Sequence, residues 1–157
     1  MSETLPGYGP IQTDVYPSIS YEEFGRLLRK YGYAAEALVD QNRFGYRTLA
    51  MPYFGAWMQS PFRRRPDEFA SVFLFHHVDA APGDATAIMR VINWKMMVAH
   101  VSANGRGRLY AAHTLVVTGG ITEYYLRDQL WYWVKDLERI RAEVRKQARR
   151  AAGSTLH

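Results

Sequence analysis

The 157-residue chain contains no cysteine. Disulfides, cysteine-based zinc sites and a thiol nucleophile are thereby excluded, and the absence fits a reducing cytosol. No apolar run approaches the ~18 residues that a membrane span requires. The opening Met1-Ser2-Glu3-Thr4-Leu5-Pro6 lacks the basic segment and apolar stretch of a secretory signal. A cytoplasmic protein is the expectation. Catalytic signatures are missing as well: there is no G-x-S-x-G, no Gly-rich phosphate loop after a strand and no Asp-x-Asp cluster. Gly105-Arg106-Gly107 is too short for a phosphate loop and reads as a turn, while Glu22-Glu23 and Asp67-Glu68 read as cap and turn residues. A non-enzymatic protein with no cofactor and no metal is expected.

What the chain does have is apolar and aromatic content. Hydrophobic residues make up 48% and charged residues 22%, ordinary values for a globular domain. Aromatics reach 14%, with 11 Tyr and 4 Trp, and rings in such number are often shared between a core and an interface. The net charge of +5 is uneven. From Glu138 to Arg150 six basic residues face two acidic ones, which leaves the rest of the chain nearly neutral.

Local signals predict the order of elements. Residues 1–17, with Pro6, Gly7, Gly9, Pro10 and Pro17, read as an extended or flexible arm. Ser20 and Glu23 form a capping box, Ile19 and Phe24 a hydrophobic staple, and Phe24, Leu27, Leu28 and Tyr31 one helical face ended by Gly32. Strands are predicted at 35–39, 44–51 and 70–78. Three prolines, Pro52, Pro61 and Pro66, argue against a central strand between them, leaving an edge strand or a long aromatic loop. A second helix is predicted after Pro82-Gly83, capped by Asp84, burying Ile88, Val91, Ile92 and the Lys95 stem and ending near Asn93 or Trp94. Asn104-Gly105-Arg106-Gly107 joins two hairpin strands, 96–103 and 108–117. After Gly119-Gly120, Thr122 caps a third helix whose Leu126, Leu130, Trp133, Leu137, Ile140 and Val144 form a buried stripe. Carried to Arg150, that helix would be about 43 Å long. A domain of this size is about 40 Å across, so the basic end should overhang or fray.

Few residues suggest chemistry. His76 and His77 are neighbours on a strand and so point to opposite sheet faces, which disfavours a shared metal. With Gly105-Arg106 as a two-residue turn, position 100 faces 111, and His100 and His113 become diagonal neighbours on one face, about 7–8 Å apart. They lack further ligands for a metal. Tyr53, Phe54, Trp57, Met58 and Phe62 are either core or a partner-binding patch, and Trp131 and Tyr132 lie off the main stripe of helix three. Arg63, Arg64, Arg65, Arg145, Lys146 and Arg149 are candidate anion contacts, or else a solvated loop and a helix end whose cations complement the dipole.

Three junctions carry a family resemblance. The second helix closes in Val91-Ile92-Asn93, the hairpin has an Asn-Gly turn before the apolar Leu109–Val117 strand, and Gly119-Gly120-Ile121-Thr122-Glu123 opens helix three. Helix one adds its Lys30-Tyr31-Gly32-Tyr33 exit. In this order they resemble the YbjN family of proposed bacterial sensory transduction regulators, which shares the fold of type III secretion chaperones. The resemblance spans 18–144, and residues 53–66 depart from the family pattern. It implies an α+β single domain, with an antiparallel sheet of about five strands packed with helices in the order α-β-β-β-α-β-β-α. Residues 18–145 would form that domain and 146–157 a basic tail. It also implies no enzyme activity, and a regulatory or chaperone-like role that binds a protein partner or itself, often as a homodimer. The alternative is a nucleic-acid-associated regulator that uses Arg63–Arg65 and the C-terminal cations.

Overall fold

The computed structural model describes residues 15–16, 18–40, 43–49, 53–59, 68–81, 83–118 and 120–154. The elements run β1 (Val15–Tyr16), β2 (Ile19–Ser20), α1 (Tyr21–Lys30), β3 (Ala35–Asp40), β4 (Arg43–Thr48), β5 (Gly55–Gln59), β6 (Glu68–Phe69), β7 (Ser71–Asp79), α2 (Asp84–Ile92), a 3-10 turn (Asn93–Lys95), β8 (His100–Ala103), β9 (Arg108–Val116), β10 (Ile121–Thr122) and α3 (Glu123–Ser154). Six strands form one antiparallel sheet in the order β3-β4-β5-β7-β9-β8. Two-residue pairings, β1 with β10 and β2 with β6, tie the start of the described chain to the starts of α3 and β7.

Alternation along the strands splits the sheet into an inner and an outer face. Tyr46, Ala56, Met58, Val72, Leu74, Leu109, Ala111, Leu115 and Val101 are buried on the inner face. There α1 contributes Phe24, Leu27 and Leu28, α2 contributes Ala85, Ile88 and Ile92, and α3 contributes Leu126, Leu130, Trp133, Leu137 and Ile140. The α+β expectation holds, and Ser20 caps α1 as expected: the Glu23 amide donates to Ser20 Oγ at 3.1 Å, while the Glu23 carboxylate accepts from Arg26. Thr122 likewise accepts from the Tyr125 amide at 3.1 Å.

Several details differ from the sequence reading. The segment at 53–66 holds β5, an interior strand between β4 and β7. No proline lies within Gly55–Gln59, so no ladder donor is missing. Asp84 is the first helical residue, and the cap is Gly83 at φ +91° with no side-chain bond. Val91 and Lys95 are exposed, because Ala85, Ile88 and Ile92 already fill the face of α2 that meets the core. The hairpin register is shifted by one, with His100 opposite Ala112 and Ala103 opposite Leu109. Gly107 takes φ +82° as the last residue of a three-residue loop, and Asn104 closes that loop by donating its amide to the Arg108 carbonyl at 2.9 Å. A shift of one residue moves a side chain to the other face. His100 is therefore exposed on the outer face, while His113 turns inward and bonds Gln129 of α3 at 3.0 Å.

Finally, α3 runs 32 residues, through Ser154. That is about 48 Å at ~1.5 Å per residue. Arg145, Lys146, Arg149 and Arg150 are exposed on its last turns.

Candidate functional site

The outer face of the sheet is the natural candidate surface, because among the described residues no helix packs on it. At its centre β5 presents Trp57 and β7 presents Phe73 and Phe75. Trp57 stacks with Phe75 at a ring separation of 6.2 Å and an interplanar angle of 11°, and Phe75 stacks with Phe73 at 6.1 Å and 18°. Two glycines make room for these rings. A Cβ on Gly55 would stand 2.1 Å from Phe75 Cζ, and one on Gly45 would stand 3.0 Å from the Trp57 ring and 2.0 Å from the Ala56 carbonyl oxygen. The Arg43 guanidinium lies 4.7 Å from the Trp57 ring centroid and is ion-paired with Asp40. Tyr110 and the exposed Val116 extend the apolar strip along β9. A shallow groove of about 490 Å³ runs between Arg43, Trp57, Phe73, Phe75, His77 and Tyr110.

The residues singled out from the sequence are dispersed over the molecule. Tyr53 (50% exposed) and the half-buried Trp57 reach the surface. Phe54 and Met58 do not: at 3% and 4% exposure they belong to the core. Alternation in β5 sends Met58 inward with Ala56, and Phe54 packs edge-to-face on Trp133 at 6.2 Å. Phe62, Arg63, Arg64 and Arg65 lie outside the described residues. Trp131 (48% exposed) and Tyr132 meet edge-to-face at 5.2 Å, and Lys135 Nζ lies 5.8 Å from the Trp131 ring. Trp131 is two residues, about 200° of helix, from the buried Trp133, so it points away from the sheet. The two aromatic surfaces are therefore on opposite sides of the two layers. Phe73, Phe75 and Tyr110 were not singled out from the sequence. The signal was there in the alternation of β7, where Phe73, Phe75 and His77 share one face and Val72, Leu74 and His76 the other.

His76 and His77 do point to opposite faces. His76 is 7% exposed. Its imidazole is held down at about 4, first by burial and then by the Arg141 cation, with a hydrogen bond to the Tyr53 backbone opposing. Burial also lowers the His113 pKa, against the hydrogen bond that its ring makes to the Gln129 side-chain oxygen. Among the described residues no group of three His, Asp or Glu side chains is placed to hold a metal. No helix among them is long and apolar enough to cross a membrane.

The molecule is thus an antiparallel sheet with three helices on one face and aromatics on the other. The same fold occurs in YbjN from E. coli, a protein described as a proposed transcription regulator. The chains superpose with a TM-score of 0.58 at 11% identity, covering 88% of this chain and 96% of that one. No protein-family model matches the sequence, and no curated protein does.

Proposed function

We propose that this chain is a non-enzymatic interaction domain that binds a protein partner, or a second copy of itself, through the outer face of its sheet. One observation carries the reading: a stacked Trp57-Phe75-Phe73 strip on a face that no helix among the described residues covers, where apolar rings gain most by being covered. The Arg43 cation beside Trp57 adds the residue type enriched at such surfaces. The fold shared with YbjN supports a regulatory role of this kind. In the test, wild-type protein and the double variant W57S/F73S are compared by light scattering, cross-linking and affinity capture. The reading expects a dimer or a reproducible protein partner that the variant loses while its far-UV circular dichroism is unchanged. A strictly monomeric wild type with no reproducible partner would sink it.

A second reading has its own observation. Arg145, Lys146 and Arg149 are exposed at the far end of α3, with Lys146 ion-paired to Glu143 at 4.0 Å, and exposed cations of this kind are the groups that meet nucleic-acid phosphates. DNA or RNA binding with a steep salt dependence would favour it, and no binding at low salt would remove it.

A further inference from the structure

The helical side of the molecule carries an apolar surface of its own. The 3-10 turn after α2 presents Trp94, which at 82% exposure is the most exposed large hydrophobic side chain among the described residues. Met97, just past the turn, is 54% exposed. Side chains of this size left in water forgo the free energy of their burial.

Both are held against α3. The Asp136 carboxylate takes the Met97 amide at 2.9 Å, and Arg139 Nη1 reaches the Lys95 carbonyl at 3.3 Å. Tyr132, Asp136 and Arg139 follow one another at i, i+4 and i+7, so the turn lies along that row of the helix. Trp131, 48% exposed, and Lys135 form the neighbouring row. Arg149 is about five turns beyond Trp131, which gives the two side chains the same direction. Arg145, Lys146, Arg149 and Arg150 are all exposed there, and the only carboxylates between 138 and 150 are Glu138 and Glu143. The helical side thus has its rings at one end and an excess of cations at the other.

Composition decides what covers this surface. Lysine is depleted at protein interfaces, and their cores are packed and free of charge. Here cations are interleaved with the rings: Lys135 Nζ is 5.8 Å from the Trp131 ring centroid, and the Arg127 guanidinium is 5.1 Å from that of Tyr124. A ring as exposed as Trp94 protrudes, which suits it to enter a soft phase. Trp and Tyr beside Lys and Arg are the side chains that settle at the headgroup level of a bilayer, and the charge excess complements anionic lipid. We propose that the helical side docks on an anionic lipid surface. Trp94 and Met97 enter the boundary between headgroups and acyl chains, Trp131 lies among the headgroups, and Lys95, Arg145 and Arg149 meet lipid phosphates. The outer face of the sheet, on the other side of the two layers, stays open to the partner proposed above.

The test sediments the full chain with vesicles of phosphatidylcholine, alone or mixed with phosphatidylglycerol, at low and at physiological salt. The mixed vesicles are expected to bind it at least about tenfold more tightly than the neutral ones, and less tightly as salt rises. W94S/M97S keeps every cation and should lose at least about tenfold in affinity for the mixed vesicles. R145Q/R149Q keeps the rings and should lose most of the preference for anionic lipid. All four positions are exposed, so far-UV circular dichroism should match the wild type. Brominated acyl chains should quench the tryptophan emission of the wild type, and less so that of W94F. The proposal is overturned if the chain sediments with neither vesicle, if W94S/M97S binds as the wild type does, or if W94F is quenched to the same extent. Binding to duplex DNA with none to vesicles would assign these cations to nucleic acid and overturn it as well.

Discussion

Asp136 of α3 accepts the backbone N–H of Ala99 through Oδ2 at 2.9 Å. The same carboxylate takes the two preceding amides, Val98 at 2.8 Å and Met97 at 2.9 Å, and its Oδ1 receives Arg139 Nη1 at 3.0 Å. The side chain is fully buried. Three successive amides turned onto one carboxylate cannot also join a ladder, which is why β8 begins only at His100. Asp136→Leu would leave these donors without partners, at about 1–3 kcal/mol each. We expect it to cost at least about 3 kcal/mol in urea unfolding, and Asp136→Asn, which keeps one acceptor, to cost less. A loss below about 1 kcal/mol for the Leu variant would show that water replaces the carboxylate.

Asn93 does for the outer side of β8 what a seventh strand would do. Its Nδ2 donates to the Val101 carbonyl at 2.7 Å, and its Oδ1 accepts from the Val101 amide at 2.8 Å. Because β8 is an edge of the sheet, this amide occupies backbone groups that would otherwise invite another chain. Asn93→Asp keeps the acceptor and loses the donor, and Asn93→Leu loses both. Hydrogen exchange at Val101 should quicken in the Leu variant, with stability falling by about 1–3 kcal/mol and aggregation rising with concentration. Exchange at wild-type rates would contradict this role.

Gly45 and Gly55 are both in the sheet interior, yet their substitutions should differ. A Cβ on Gly45 meets backbone, the Ala56 carbonyl oxygen at 2.0 Å, so β4 and β5 must separate. A Cβ on Gly55 meets the Phe75 ring at 2.1 Å, and the ring can swing aside on the open face. Gly55→Ala is expected to cost about 1–3 kcal/mol and Gly45→Ala more. Gly105→Ala, with nothing within 4 Å, should stay within about 0.5 kcal/mol. Thermal melting of the three variants ranks them, and equal values at 45 and 105 would refute the ordering.

How much of this was legible depended on whether the signal was local. The Ser20 cap of α1 needs only its own first turn, and the stripe of α3 only its own spacing, so both could be read directly. The hairpin was visible in Asn104-Gly105, but its register rests on the left-handed backbone of Gly107, which composition does not reveal. A one-residue error there placed His100 and His113 on one face. β5 is obscured in the sequence because Pro52 and Pro61 stand close on either side of Gly55–Gln59, and proline near a strand looks the same in sequence as proline that would break its ladder. The candidate surface was half visible. Trp57 stood out among its neighbours, whereas Phe73 and Phe75 read simply as a buried strand, because nothing local says which sheet face the helices leave bare. Asp136 had one trace, a carboxylate three residues after Trp133 on an apolar stripe, and its partners lie almost forty residues earlier.

The buried His76 gives the protein a predictable response to acid. Its pKa is lowered from the usual 6.5 to about 4, by burial first, then Arg141, with His77 adding to the effect. Between those values the unfolded chain binds a proton that the folded one does not, so stability rises with pH across the window. The contribution is fully present above pH 6.5, declines as pH falls, and is exhausted below about 4. Its ceiling is about 3 kcal/mol, from 1.36 kcal/mol per pKa unit. His113, also lowered by burial, acts in the same direction. Urea unfolding of wild type and His76→Gln at pH 7.5, 5.5 and 4 separates the two, since the slope with pH is read and not the absolute stability. The variant should show the shallower fall. Parallel curves would mean that His76 is protonated as readily in the folded chain as in the unfolded one, and that its burial costs the charged form nothing.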